Sequence, residues 1–191
     1  MPMSVDQLTS SRFIDFHERS ILNDFIPGKE RGVMLHGEPK KGIFYGVAVS
    51  TGQGKNNNET NNLVDSNDFI GRVGVNIAEL IGQQGAVYHL AGAYSTGKLP
   101  ASTTVSGRTE ARGTTFFTTQ PFGGADTERE RRLLEASVAI GTLKIQSEYL
   151  NINFSGAGYG KDITVWYASV GWLITATDEE TAITLRAWFD F

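Results

Sequence analysis

The chain has 191 residues, a length that suits a single domain. It contains no cysteine, so a disulfide framework and thiol chemistry are excluded, and its net charge of −4 gives no basic footprint for nucleic acid. No run of about 18 apolar residues occurs, which excludes a transmembrane helix, whereas the strands of a membrane barrel would give a much weaker hydropathy signal.

The first 30 residues are predicted to form an entry segment of helix and loop. Ser4 and Gln7 have capping-box spacing, which predicts a short helix, and Pro27 breaks the chain before the first strand. Residues 1–10 lack the basic and apolar regions of a secretory signal peptide. If the protein belongs to the cell envelope, we therefore expect this chain to be part of a longer precursor.

Residues 31–175 are predicted to form antiparallel hairpins, because apolar side chains alternate with small or polar ones along short segments. Ile43, Tyr45 and Val47, for example, share one face of the segment 43–50. Short turns alternate with long polar loops, a pattern typical of outer-membrane barrels. We predict strands at 31–37, 43–50, 68–78, 86–95, 132–140, 143–154 and 163–175, another at 113–119 within the long connector, and a last one at 182–191.

The alternation and the loop lengths predict an all-β fold, an antiparallel transmembrane β-barrel with about eight or nine strands and one short N-terminal helix. We expect a single partial barrel domain over residues 1–191. Its parts are the entry segment 1–30, the strands 31–175 and a terminal strand region 176–191. A soluble β-sandwich with decorated loops is the alternative. The two folds differ in what covers the apolar faces, which is lipid in the barrel and a second protein layer in the sandwich.

Several motifs are similar to those of the phosphate-selective porin O and P family. The sequence PMSVDQLTSSR at 2–12 resembles the family's PFSLEQLTSSR, and FHERS at 16–20 with PGK at 27–29 resembles its F-M-E-R followed by P-G-R. Weaker similarities continue in order, so the resemblance spans residues 2–175. The resemblance implies a trimeric, 16-stranded outer-membrane channel for anions, phosphate especially, so the eight or nine strands predicted here would be an incomplete barrel of porin type. The Lys-rich constriction loop typical of the phosphate channels is not recognisable in this chain.

Anion passage needs positive charge that faces a water-filled lumen. Alternation places Arg72 opposite Val73, and Lys144 opposite Leu143, so both cations are predicted to face inward. A charge at mid-depth on the lipid face would cost about 2–4 kcal/mol, which supports this assignment. A lumenal charge paired with a neighbour such as Glu135 is the alternative. The full set of predicted pore-lining residues is Arg72, Lys144, His36, His89, Arg12 and Arg19.

Aromatic residues near strand ends are candidates for girdles at the two membrane interfaces, with ordinary sheet packing as the alternative. In the segment 163–174 both faces are fairly apolar, and we predict that Trp166 and Trp172 point outward. The girdle candidates are Phe69, Tyr88, Tyr94, Tyr149, Trp166 and Trp172.

The sequence gives no indication of an enzyme. The three histidines have no metal-ligand spacing, and the Gly-rich segments 52–54 and 156–160 do not lead from a strand into a helix, so we expect no catalytic residue, cofactor or metal. The charge run at 127–132 is predicted to be a solvated loop.

The function that we expect is an outer-membrane porin, or a fragment of one, that lets small phosphate-type anions diffuse passively. Its expected partners are phosphate or other small anions, outer-membrane lipid and, if the barrel is complete, two further copies in a homotrimer. A soluble β-sandwich binding module and a non-conducting truncated remnant of a porin are the alternatives.

Overall fold

The computed structural model describes residues 3–10, 12, 14, 16, 18–28, 30–51, 67–99, 104–109, 113–119, 127–156, 159–173 and 184–190, with backbone alone at 159 and 184–190. Its helical elements are short: α1 is Val5–Leu8, a 3₁₀ turn covers Ile21–Asp24, and α2 is Ile77–Leu80. None of the described helices has the length and apolar character needed to cross a membrane. The strands are β1 Gly32–Lys40, β2 Ile43–Ser50, β3 Asp68–Asn76, β4 Ala86–Leu99, β5 Ser106–Arg108, β6 Thr115–Thr118, β7 Thr127–Ile140, β8 Leu143–Gly156, β9 Tyr159–Leu173 and β10 Thr184–Asp190.

Eight strands form one antiparallel sheet in the order β1-β2-β3-β4-β7-β8-β9-β10, and β5 pairs with β6 in a separate hairpin. The prediction of an all-β antiparallel porin-type fold is confirmed, although the barrel is not closed in the part of the chain that the structure describes. Tight turns at Gly42 and Gly141, both with positive φ, join the strands at one end of the sheet, which we call the lower end. The strand ends Ser50, Asp68, Leu99 and Thr127 lie at the opposite, upper end.

Strands β7, β8 and β9 run further toward the upper end than the sequence predicted. The charge run 127–132 is the first part of β7, so its prediction as a solvated loop is wrong. It belongs to a strand because every residue from Leu99 to Ala86 on β4 pairs with a partner between Thr127 and Ile140 on β7. The Gly-rich segment near 156 also continues two strands, with Gly156 pairing with Tyr159.

The N-terminal segment, meaning the described residues between 3 and 28, packs on one face of the sheet, which we call the inner face. Met3, Leu22 and Ile26 are almost completely buried, and they join the cluster that contains Leu150 and Ile152 of β8. Burying side chains of this size contributes about 1.5–3 kcal/mol each. The segment is therefore an integral part of the fold.

The start of α1 confirms half of the predicted capping box. The Oγ of Ser4 accepts the backbone N–H of Gln7 at 3.1 Å, as a helix cap should. The Gln7 side chain does not return to Ser4 but donates to the carbonyl of Pro27. Gln7 thus ties the two ends of the N-terminal segment together.

The polarity of the two faces inverts part of the way along the long strands. On β8 the outer side chains are mainly apolar and exposed from Leu143 to Tyr149, and polar from Asn151 to Ser155. The inner side chains change in the opposite sense, from polar between Lys144 and Glu148 to buried and apolar between Leu150 and Phe154. The upper part of β8 is thus patterned like a water-soluble sheet, and the lower part like the wall of a membrane barrel.

The neighbouring strands invert at the same level. On the outer face of β7, charged residues between Glu128 and Arg132 give way to apolar ones between Leu134 and Ile140. On β9, Asp162 and Thr164 give way to the exposed apolar run that begins at Trp166. Within the described residues, this apolar surface is exposed.

Candidate functional site: the inner wall and its two carboxylates

The lower inner wall has a charged cluster centred on Glu135 of β7. The Nε of Arg72 donates to Glu135 Oε1 at 2.9 Å, and a second guanidinium N–H donates to the same oxygen. The Nε2 of His89 lies 2.9 Å from that oxygen as well. Phe44 holds both partners, since the His89 ring stacks on it with centroids 5.3 Å apart and the Arg72 guanidinium lies 4.8 Å from its centroid.

A second buried carboxylate, Glu148, lies directly across from Glu135 on the neighbouring strand β8. Its Oε1 accepts the hydroxyl of Tyr167 at 3.0 Å, and the amide of Gln146 donates to the same hydroxyl oxygen. Glu135 and Glu148 are only 2% and 1% exposed. Buried carboxyl groups need hydrogen-bond donors nearby, because an unpaired buried charge is very costly.

The N-terminal segment supplies one backbone donor to each carboxylate. The backbone N–H of Val5 donates to Glu135 Oε2 at 2.8 Å, and the N–H of Asp6 donates to Glu148 Oε1 at 2.8 Å. Both groups belong to the first turn of α1, where backbone N–H groups have no partner within the helix. The segment is braced internally, since the Arg19 guanidinium donates to the carbonyls of Asp6 and Thr9.

The upper inner wall holds a second ionic cluster, which the sequence did not reveal. Asp68 of β3 accepts from Arg129 and Arg131 of β7, and Arg131 also donates to Ser95 at 3.4 Å. The cluster is buried, so its arginines do not line open solvent. The spacing of Arg129, Arg131 and Leu133 at i, i+2 and i+4 was the signal that could have placed them on one face of a strand.

The structure brings two of the six predicted pore-lining residues together. Arg72 and His89 both contact Glu135, which is the paired-charge alternative given above. Lys144 lies on the same inner face, half-buried, and His36 is exposed on the inner face of β1. Arg19 braces the N-terminal segment, and Arg12 is exposed in that segment.

The described residues contain no group of His, Asp and Glu side chains that could hold a metal ion. The inner wall offers electrostatic interactions, from carboxyl groups held by donors of the sheet and of the N-terminal segment and from cations on the strands.

The outer wall carries an exposed apolar band below the level of inversion. Tyr94, Tyr149 and Trp166 lie at its upper margin, next to the polar side chains of β7 to β9, and Trp172 lies near its lower margin. Amphipathic aromatic rings occupy such margins where a barrel meets the two membrane interfaces.

An open antiparallel sheet with an apolar outer band and a charged inner wall defines a wall of porin type. The family model described as phosphate-selective porin O and P matches residues 1–180. The chain belongs to this family of outer-membrane porins, which indicates a channel rather than an enzyme. A comparison with curated proteins finds no significant match to the chain.

Proposed function

We propose that this chain forms part of the wall of a water-filled outer-membrane channel through which small anions of the phosphate type diffuse passively. The inversion of polarity along β7, β8 and β9 is the observation that carries the proposal. An exposed apolar band on the outside and polar side chains on the inside are what a strand needs between lipid and water. The anion preference is inherited from the family, whose name includes phosphate selectivity.

The inner wall supports anion passage through its cations rather than through any reaction. Lys144, His36 and His89 are proposed to face the solute path together with Arg72, whose charge is shared with Glu135. Arg12 and Arg19 are proposed to act from the N-terminal segment. Such charges lower the barrier for an anion in the lumen and leave its bonds unchanged.

The proposed setting is the outer membrane, with lipid against the outer band and, in a complete barrel, a homotrimer. The division into an entry segment 1–30, strands 31–175 and a terminal region 176–191 is proposed as one partial barrel domain. The family model's extent over residues 1–180 supports a single unit.

Reconstitution in a planar bilayer tests the function. We expect stepwise conductance, and a reversal potential under a KCl gradient that shows anions to be more permeant than cations, with phosphate reducing the chloride current. A chain that stays monodisperse without detergent and gives no conductance would be a soluble module. A chain that inserts into vesicles without conducting would be a non-conducting remnant.

A further inference from the structure

Two carboxylates lie in the wall of a channel that is proposed to pass anions. A bare carboxylate facing the lumen would repel anions, since one unit charge about 4 Å from the path changes the local concentration of an ion about fivefold in water. Glu135 and Glu148 lie directly across from each other on neighbouring strands. Something in the fold has to suppress this repulsion.

The donors around the two carboxylates come from opposite sides. Arg72, His89 and Tyr167 approach from the sheet itself. The N–H groups of Val5 and Asp6 approach from the N-terminal segment, which lies on the inner face. The segment therefore covers the side of each carboxylate that would otherwise face the lumen.

We propose that the first turn of α1 determines ion specificity by masking these two wall carboxylates with backbone N–H groups. The proposal rests on the proposed function and assigns a role that residue type alone cannot reveal. Any side chain at position 5 supplies the N–H except proline. The groups that set selectivity here are peptide groups, and Ser4 positions them by capping the turn.

Val5→Pro removes the masking group with little other change. Val5 is the first residue of α1, where proline fits because its φ is already helical and no intrahelical bond is lost. Ser4 has an extended backbone, φ −126° and ψ 143°, which is the conformation that precedes proline. Val5→Ala is the reference, since it trims the side chain and keeps the N–H.

Two measurements compare the two variants in the full chain. The first is the anion-to-cation permeability ratio from reversal potentials in a KCl gradient. We expect this ratio to be about threefold lower in Val5→Pro than in Val5→Ala. That is less than the effect of about fivefold on local anion concentration that one fully exposed unit charge has in water. The second is modification by a water-soluble carbodiimide, located by mass spectrometry, which we expect to be faster at Glu135 in Val5→Pro and unchanged at Glu148.

A double-variant comparison assigns the effect to Glu135. In a Glu135→Gln background, proline and alanine at position 5 should give equal permeability ratios, because no charge is left to unmask. A difference that persists in this background would overturn the proposal. Equal permeability ratios in the original background would overturn it as well, whatever the modification shows.

Failure of the proposed function gives a different result. If no variant and no parent chain conducts, the channel is contradicted, and with it the role in selectivity; the carbodiimide data then decide only whether the N–H covers Glu135. If Val5→Pro does not fold, Ser4→Ala takes its place, because it loosens the cap and keeps every N–H. A permeability ratio unchanged by Ser4→Ala would then overturn the proposal.

Discussion

Glu135 is a residue of the inner wall on which contacts from several elements converge. It accepts hydrogen bonds from Arg72 of β3 and from Val5 of the N-terminal segment, and it lies beside His89 of β4. A single carboxylate thus links three strands and the segment. Its position could be predicted from alternation, but its partners could not, because the register that aligns β3, β4 and β7 depends on long-range pairing.

Removing the Glu135 carboxylate should destabilise the fold. We expect Glu135→Ala to lower the free energy of unfolding by about 3 kcal/mol, because Arg72, only 10% exposed, loses its counter-charge. Glu130→Ala is the matched control on the outer face of the same strand, where the partner Arg132 is 67% exposed and the pair contributes about 0–1 kcal/mol. Urea unfolding from lipid vesicles, followed by tryptophan fluorescence, measures both. Equal losses would contradict the central role of Glu135.

Gly97 is required by the upper ionic cluster. A Cβ at this position would lie 1.6 Å from Asp68 Oδ1, so Gly97→Ala must displace the carboxylate that Arg129 and Arg131 share. We expect a loss of about 3 kcal/mol in the free energy of unfolding. Gly92→Ala, on the outer face of the same strand, makes only ordinary contacts, with the Leu134 side chain at 3.6 Å and the Leu133 carbonyl at 3.7 Å, and should be nearly neutral. The same unfolding measurement would contradict the cluster's importance if the two variants behaved alike.

Lys144 is the better test of anion preference, because reversing Arg72 would place a second carboxylate against Glu135. Lys144→Glu puts a negative charge on the inner face, and we expect the anion-to-cation permeability ratio to fall about fivefold or more. Lys98→Glu is the control, since Lys98 points to the outer face near the upper end. A ratio that is unchanged in Lys144→Glu would remove this residue from the solute path.

At the scale of the strands, β9 shows what sequence reasoning could and could not reach. Its two faces looked equally apolar because Ile163 and Val165 are apolar on the inner face, whereas Trp166 and Trp172 are apolar on the outer face. The apolar set changes face between Val165 and Trp166. A pattern search that assumes one apolar face per strand cannot resolve such a strand, although the outward prediction for the two tryptophans was right.

The inversion also explains the misassigned charge run. Glu128 and Arg132 face outward above the apolar band, and Arg129 and Arg131 face inward toward Asp68. Consecutive charges looked like a solvated loop because neither face was apolar. That Asp68 lies beside Arg129 and Arg131 can be known only from the fold.

The two halves of one strand should respond differently to an added cation. On the outer face of β7, Val138→Lys places a charge in the apolar band and should cost about 2–4 kcal/mol in a bilayer. Glu128→Lys lies above the band on the same face and should change the free energy of unfolding by less than about 0.5 kcal/mol. Unfolding from lipid vesicles distinguishes the two variants. Equal effects would mean that lipid does not cover the lower half.

For the whole molecule, the fold class and the identity of the outer face followed from alternation, loop lengths and resemblance. The path of the N-terminal segment did not, because its burial depends on Met3, Leu22 and Ile26 meeting the inner face of β8. Such contacts join residues more than a hundred positions apart. Their pattern in the segment alone is too short and irregular to specify a partner.

In the proposed channel, the level at which the polarity of the two faces inverts would divide the sheet into a part that lies in the lipid and a part that projects beyond it. Strand β8 has 14 residues, more than the 9–11 or so that span a bilayer, and its polar-sided portion begins at Asn151. In the proposed channel, β7, β8 and β9 would therefore continue past the lipid and form a rim around one mouth of the pore. A solute entering the proposed channel from that side would pass this rim, lined on its inner side by the N-terminal segment, before it reaches the level of Lys144.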